Sequence, residues 1–342
     1  LGDVYKRQLV DGRNVKDGGS AKLVIKGLVD VENDDVSVIQ ANKGDVSIGG
    51  GKIIAKGDKA SSLKINNDGK IQINGNLSDR NVLTAGAVKH DVQIEGNVLA
   101  QKGRLGLVLN TDGSYIKGLI GTDVGTAGQT YMMLSDGASW YHEGKGARTD
   151  SIKESKIKNL EADGGNIYQK NEKPITIENY KGNMKLFYKH ENAGTKAEDY
   201  KSGDVHIGSA AEGSRITVIT DNSGITMTDE AQVYEVLNAL AGKLYYDAYK
   251  TGEEKLSGQA TIAEGLTSSS KTLEMKDMLF KKENGQGYVE GKPTPPPLVN
   301  PVRHQIVEAN YFAEEARDFW SKAGVYAVSY THLRAHETGA YL

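Results

Sequence analysis

The stretch LKINNDGKIQING, residues 63–75, contains the pattern from which the fold can be predicted. Apolar residues alternate with polar ones from Leu63 to Ile65 and again from Ile71 to Ile73, on either side of an Asp-Gly pair. Alternation places every second residue on the same face of a strand, and Asp-Gly serves turns that need a positive φ. The stretch therefore predicts two short strands, each with one apolar face, joined by a tight turn.

Similar units recur between residues 20 and 225. They are LVLNTDGSYIKG (107–118) and MMLSDGASW (132–140), with the looser VSIGGGKIIA (46–55) and VQIEGNVLA (92–100). The turn glycines at 69, 96, 113 and 137 are 27, 17 and 24 residues apart, whereas a β-sandwich has turns about every 8–12 residues. The wider spacing favours a parallel β-solenoid, in which each coil buries the apolar edge of its neighbours. The aliphatic side chains expected inside it include Ile65, Ile73, Ile94, Leu109 and Val218.

A helix is predicted over residues 230–249, within TDEAQVYEVLNALAGKLYYDAY (228–249). Asp229 and Gln232 have the spacing of a capping box. Apolar residues then recur at spacings of three and four, namely Val233, Val236, Leu237, Leu240, Leu244 and Ala248. We expect this helix to cover one end of the solenoid and to shield its edge strands.

Two further segments follow the predicted helix. MLFKKENGQGYV (278–289) reads as a hairpin around Asn284-Gly285, and GKPTPPPLVNP (291–301) as a stiff proline-rich linker. Asn300 and Pro301 then open a second helix whose apolar residues, from Val302 to Trp320, form a narrow seam.

Composition excludes several classes of function. The chain has 342 residues, a net charge of −3 and no cysteine. Thiolate metal sites, disulfides and cysteine nucleophiles are thereby excluded, and the charge gives no basic surface for nucleic acid. No apolar run reaches the roughly 18 residues that span a bilayer. The chain begins without a methionine or a signal peptide, which we interpret as a fragment.

The two ends differ from the rest in composition. LGDVYKRQ (1–8) and VSYTHLRAHETGAYL (328–342) resemble adapter-derived sequence that is translated at the ends of unrelated reading frames, so we interpret both as non-native. His332 and His336 have the spacing of a helical metal pair, but within such a segment they carry no functional meaning.

Three stretches resemble the C-terminal part of the passenger region of autotransporters, the type V secreted surface proteins of bacteria with an outer membrane. They are GGNIYQKNEKPITIENYKGNMKLFYKHE (164–191), GDVHIGSAAEGSRITVITDNSGI (203–225) and VLNALAGKLYYDAYKTGEEKLSGQATIAEGLTSSS (236–270). The resemblance implies a right-handed parallel β-helix on the extracellular side of the outer membrane. It also implies, as partners, a C-terminal translocator β-barrel that this chain lacks and a ligand on a host or neighbouring cell.

These observations predict five segments. Residues 1–8 and 328–342 are non-native, 9–228 form the solenoid passenger, and 229–290 form the helix and terminal strands that cap it. Residues 291–327 form the linker and a helix leading toward the missing barrel.

Candidate sites are few. Asp204 and His206 lie two apart on a predicted strand and face the same way, with His190-Glu191 near in sequence, and Tyr141-His142-Glu143 follows a turn. Each is as expected for polar residues on an outer strand face. The motifs G-x-S-x-G and H-E-x-x-H are missing from the sequence, and GGGKIIAKGD (49–58) lacks the G-K-[ST] of a phosphate loop. We therefore predict no catalytic, cofactor-binding or metal-binding residues and no cofactor.

Two functions remain. The first is a non-enzymatic surface scaffold with an adhesin-like role. The second is a carbohydrate-active enzyme, a lyase or glycosidase, which requires carboxylates clustered on one exposed face.

The ends provide a first test of this interpretation. We expect a chain without residues 1–8 and 328–342 to unfold at the same temperature as the full chain, because no packing pattern ties these segments to the rest. Thermal unfolding followed by circular dichroism measures this, and a midpoint lower by several degrees would show that the ends belong to the fold.

Overall fold

All regular structure in the described part of the chain is β. The computed structural model describes residues 8–11, 21–121, 128–189, 202–221, 243–249, 255–259, 272–283 and 286–290. No helix long and apolar enough to cross a bilayer occurs among them. The strands are β1 (Gln8–Asp11), β2 (Ala21–Asn33), β3 (Ile39–Asn42), β4 (Gly44–Ala55), β5 (Leu63–Asn66), β6 (Gly69–Ile73), β7 (Gly75–Leu77), β8 (Leu83–Ala85), β9 (Val92–Glu95), β10 (Val98–Ala100), β11 (Gly103–Leu109), β12 (Tyr115–Lys117), β13 (Ile120–Gly121), β14 (Gln129–Ser135), β15 (Ser139–His142), β16 (Ser155–Gln169), β17 (Ile175–Lys189), β18 (Val205–Ala210), β19 (Arg215–Asp221), β20 (Leu244–Tyr249), β21 (Lys255–Gln259), β22 (Thr272–Glu283) and β23 (Gln286–Glu290).

Eight of these strands form a closed ring of parallel pairs. The ring runs from β4 through β6, β11, β14, β16, β15, β12 and β9 and returns to β4. A second parallel sheet has the order β1-β3-β5-β10-β13, and further strands extend the ring through β2 and β17. The architecture is a closed parallel β-barrel of eight strands with additional strands.

The predicted right-handed parallel β-helix with a capping helix is therefore wrong. In open coils, strands on different faces of the solenoid do not share a hydrogen-bonded sheet. Here β4 and β16 each pair with two strands of the ring, and these pairings close it. The N-terminal half of β4 pairs with β6 and its C-terminal half with β9, and β16 pairs with β14 and then β15. The prediction of a regular repeat is also wrong, because strand lengths range from 2 residues in β13 to 15 in β16.

The predicted helix at 230–249 is wrong over its last part. Leu244–Tyr249 is strand β20, which pairs with β18 in parallel and with β21 in antiparallel. The apolar spacing that suggested a helix there is overridden because Leu244, fully buried, continues the interior row of Val205. Residues 230–242 lie outside the described residues, as do the linker, the second predicted helix and His332 and His336.

Several local predictions are confirmed. The turn at 63–75 separates β5 from β6, with positive φ at Asn67 (49°) and Asp68 (63°). The hairpin around 284–285 is present, since β22 and β23 pair in antiparallel with Glu283 opposite Gln286. At 46–55, however, the expected turn is absent, and β4 runs through all three glycines.

The interior is filled by the aliphatic residues that alternation predicted. Ile65, Ile73, Ile94 and Leu109 are completely buried in one continuous cluster. The side chain of Val218 lies outside the described residues. Trp140 is buried among them, and its indole N–H donates to the Gly118 carbonyl at 3.0 Å.

A buried asparagine attaches an irregular segment to this core. The Asn97 amide donates to the Ala147 carbonyl at 3.0 Å and to the Thr149 hydroxyl at 2.8 Å. Its side-chain oxygen accepts from the backbone N–H of Leu119 and of Lys145. All hydrogen-bonding groups of this side chain are used, which fixes residues 145–149 against the barrel.

The glycines of β4 permit a close approach that other residues would block. Gly51 has φ of +106°, and a Cβ added there would overlap the backbone of Val29 on β2. A Cβ added at Gly27, on β2 itself, would meet no atom within 4 Å.

We expect Gly51→Ala to lower the free energy of unfolding by about 3 kcal/mol or more, because it combines a positive φ with a backbone overlap. The matched control Gly27→Ala is expected to change it by less than about 1 kcal/mol. Urea denaturation of both variants measures the difference, and equal stability would contradict the close approach of β2 and β4.

Candidate functional site

An open cleft lies where β18 begins. It has a volume of about 360 Å³ and is lined by Glu172, Pro174, Ser202, Gly203, Asp204, His206 and Lys243. These residues come from the loop between β16 and β17, from β18 and the residues just before it, and from the residue that precedes β20. The cleft therefore gathers two carboxylates, an imidazole and an ammonium from three places in the chain.

The pleat of β18 places Asp204 and His206 on the same face, as the sequence predicted. Between them, Val205 is fully buried and faces the interior. The imidazole of His206 stacks on the ring of Tyr245 with centroids 4.9 Å apart and planes 9° apart, because His206 and Tyr245 are partners in the β18–β20 ladder. The sheet thus fixes the orientation of the imidazole.

Backbone groups hold the rest of the cleft. The Lys243 ammonium donates to the Ser202 carbonyl at 2.6 Å, and the Ser202 hydroxyl donates to the Gln169 carbonyl at 3.0 Å. The backbone N–H of Gly203 donates to the Asn171 carbonyl at 2.7 Å. The hydrogen bond to Ser202 thereby fixes the position of the Lys243 ammonium in the lining of the cleft.

A buried tyrosine lies near this charge cluster. The Tyr188 hydroxyl has no hydrogen-bond partner among the described residues and is fully enclosed. Burial, and then the charges of Asp204 and Tyr245, raise the pKa of Tyr188 well above its ordinary value. The hydroxyl therefore remains protonated.

The cleft lacks the ligands of a metal site. No group of three or more His, Asp or Glu side chains arranged to hold a metal occurs among the described residues. Glu172, Asp204 and His206 share the cleft but are not grouped closely enough to supply the three protein ligands of a zinc site. Glu172 and Asp204 are two carboxylates that line the same cleft, and acid–base chemistry on sugars uses two carboxylates.

A second surface lies on the outward face of β12, β15, β16 and β17. We call it the aromatic ladder, and it consists of Tyr115, Tyr141, Tyr168 and Phe187. Tyr141 and Tyr168 stack at 4.7 Å and 13°, and Tyr168 and Phe187 at 4.5 Å and 12°. This stacking follows from the strand register, because Tyr141 pairs with Tyr168 and Tyr168 pairs with Phe187 in successive parallel strand pairs.

Lysine side chains border the aromatic ladder. The Lys117 ammonium lies 4.7 Å from the ring centroid of Tyr115, and the Lys170 ammonium lies 4.8 Å from that of Tyr141. Tyr115 and Tyr141 are half-buried, whereas Tyr168 and Phe187 are 7% and 6% exposed. The accessible part of this surface is therefore the Tyr115–Tyr141 end with the Lys170 ammonium, since the Lys117 side chain is only 12% exposed.

One carboxylate anchors that end. The Tyr115 hydroxyl donates to Glu95 at 3.0 Å, the Lys117 ammonium lies 3.9 Å away, and Lys145 forms a close ion pair. Burial alone would raise the pKa of Glu95, but the hydrogen bonds and charges of these partners hold it below its usual value. Glu95 thus stays ionised and orders Lys117, whose ammonium lies beside the Tyr115 ring.

A buried polar network lies behind this face. His142 is fully buried; its Nδ1 donates to Gln169 Oε1, and its Nε2 accepts from the Ser155 hydroxyl at 2.9 Å. This tautomer follows because the Gln169 amide already donates to the carbonyls of Lys173 and Gly203. Burial lowers the pKa of His142 to about 4, although the bond to Gln169 opposes the shift.

The other sequence candidates do not form sites. In Tyr141-His142-Glu143, Tyr141 faces outward and His142 faces inward, so the three side chains do not converge. His190-Glu191 lies outside the described residues. The aromatic ladder was missed because its members are far apart in sequence and share a row only once the strand register is known.

Comparisons with protein-family models, with curated proteins and with solved structures found no match. The cleft and the aromatic ladder are therefore the features of this chain that bear on its function.

The His142 network predicts a pH dependence of stability. The folded-state pKa of about 4 lies below the usual 6.5, so the unfolded chain binds the proton more readily. The stabilising contribution is complete above pH 6.5 and is lost as the pH falls to about 4, to a total of about 3 kcal/mol.

Urea denaturation of the wild type and of His142→Gln across this pH range isolates the effect from other titrating groups. The stability difference between the two proteins is expected to shrink by that amount between pH 7 and pH 4. Parallel pH profiles would show that His142 is not held neutral.

Proposed function

We propose that this chain is part of an autotransporter passenger and acts as a non-enzymatic, adhesin-like scaffold at the cell surface. The observation that carries the proposal is the Tyr115–Tyr141 end of the aromatic ladder, where tyrosine rings and two ammonium groups share one outward face. Aromatic rings bind the apolar faces of sugars, and ammonium groups bind anionic substituents. The surface is suited to an acidic glycan on a host or neighbouring cell.

The rigidity of this face supports a binding role. The rings are held by strand register and by mutual stacking, and Glu95 holds Lys117, one of the two lysines beside them. A surface whose side chains are already ordered loses little conformational entropy when a ligand binds.

Binding of a heparin-derived octasaccharide, measured by calorimetry, tests this function. We expect Tyr141→Ala and Lys170→Gln each to weaken binding about tenfold, the effect of losing one stacking or charged contact. The matched control is Lys158→Gln, which removes a surface lysine paired with Glu178 on another part of the sheet. Equal loss in the control would show attraction by charge alone, and the absence of binding to the wild type would contradict the proposal.

A second function has one observation in its favour. The cleft places Glu172 and Asp204 on the same opening, which suits a carbohydrate-active enzyme. Release of reducing ends from a uronic-acid polysaccharide by the wild type, abolished in Glu172→Gln and Asp204→Asn, would support this alternative. If the wild type releases no reducing ends, the enzymatic alternative is contradicted and the glycan-binding function remains.

A further inference from the structure

β2 is an edge strand that carries two exposed large apolar side chains, Val24 (48%) and Leu28 (62%). β2 has 13 residues, which corresponds to an edge about 40 Å long. It pairs with β4 on one side, from Ala21 opposite Gly44 to Asn33 opposite Ala55. Its other side pairs with no strand among the described residues, and an unpaired edge is a template on which another chain can pair.

The interior row of the barrel continues into β2 but is only half covered there. Val46 and Ile53 of β4 are completely buried. Leu23, Val29 and Val31 pack against the same core yet are partly exposed. Apolar area therefore remains to be removed from water on this side.

The exposure pattern of β2 is the same when read from either end. Inward residues are half-buried at 21, 23 and 25 and again at 29, 31 and 33, with exposed residues between them. The centre of the pattern is Gly27, within the bulge where the register with β4 shifts. A strand with this symmetry can pair with an identical strand running in the opposite direction.

We propose that β2 pairs in antiparallel with β2 of a second copy of this chain, with Gly27 on the two-fold axis. In this register Leu23 lies opposite Val31 of the second copy, and Ile25 lies opposite Val29. Both inward rows then complete one apolar layer, and each contact occurs twice, as in any isologous interface.

The outward charges are complementary in the same register. Lys22 lies opposite Glu32 of the second copy, so the basic beginning of each strand faces the acidic end of the other. Within one copy, the Glu32 carboxylate lies 2.6 Å from the Lys56 ammonium, and both side chains are more than half exposed. Such an exposed pair contributes little and leaves the carboxylate able to accept a second ammonium.

The chain offers a direct probe of this axis because it contains no cysteine. Gly27→Cys introduces a single thiol where an added Cβ meets no atom within 4 Å, so the fold is preserved. In the proposed dimer the two thiols lie directly opposite each other, within the Cα separation of about 7 Å that a disulfide allows. We expect the disulfide dimer to form at least about tenfold faster than a randomly colliding thiol pair would give.

Two control variants define the register. Val24→Cys is on the same strand and 48% exposed, but the two copies of position 24 would be about 20 Å apart in this register. Val82→Cys is 57% exposed and is not part of β2; it gives the rate of random collision. Both controls are expected to cross-link slowly, as judged on non-reducing gels after mild oxidation.

Sedimentation equilibrium of the wild type provides the second readout. We expect a dimer with a micromolar dissociation constant, and protection of β2 amides from hydrogen exchange that rises with concentration. A monomer at all concentrations overturns the proposal, and so does cross-linking at Val24→Cys as fast as at Gly27→Cys. Protection of β2 in a monomer would show that another part of the same chain covers the edge, and would also overturn it.

Discussion

The structure depends on two long strands, β4 and β16, that each pair with two successive strands of the ring. β4 and β16 pass through glycines where a shorter strand would end, and each changes its partner at that point. This is possible because the neighbouring backbone comes closer to Gly51 than a Cβ would allow. Without the two changes of partner, the parallel pairs would not close, and the aliphatic interior would have two open sides.

Parallel, in-register pairing also determines the chemistry of the surface. Residues that are partners in successive ladders lie above one another, so side chains of one type form rows. The row that contains Tyr141, Tyr168 and Phe187 stacks on the outside, while the adjacent row places His142 and Gln169 inside. Both the proposed binding surface and the pH-sensitive network thus follow from one alignment of strands.

The sequence predicted the local structure better than the way in which the strands connect. Alternation identified the buried residues Ile65 and Ile94, because burial depends on the pleat alone. Alternation did not show that β4 continues through residues 49–51, because glycines occur both in turns between strands and at bends within one strand. The helix predicted up to residue 249 is wrong from Leu244 onward. Leu244 pairs with Val205 in the sheet, and this tertiary pairing overrides an apolar spacing that is compatible with either a helix or a strand.

The same limit applies to the candidate sites. Asp204 and His206 were found because they are close in sequence and period two sets their direction. Lys243 and Glu172, which complete the cleft, are brought there by long-range pairing. The aromatic ladder required the register of four strands, which no local pattern contains.

The sequence separation of the paired strands has a consequence for how the molecule forms. Leu160 pairs with Tyr180, and Ile71 with Leu105, so each ladder closes a loop before its first contact is gained. These separations, 20 and 34 residues in a chain of 342, are short relative to its length, so the loop entropy lost at each step is small and strands can be added one after another. The barrel can therefore grow from local pairs, and its ring closes only when β4 and β16 have both found their second ring partners.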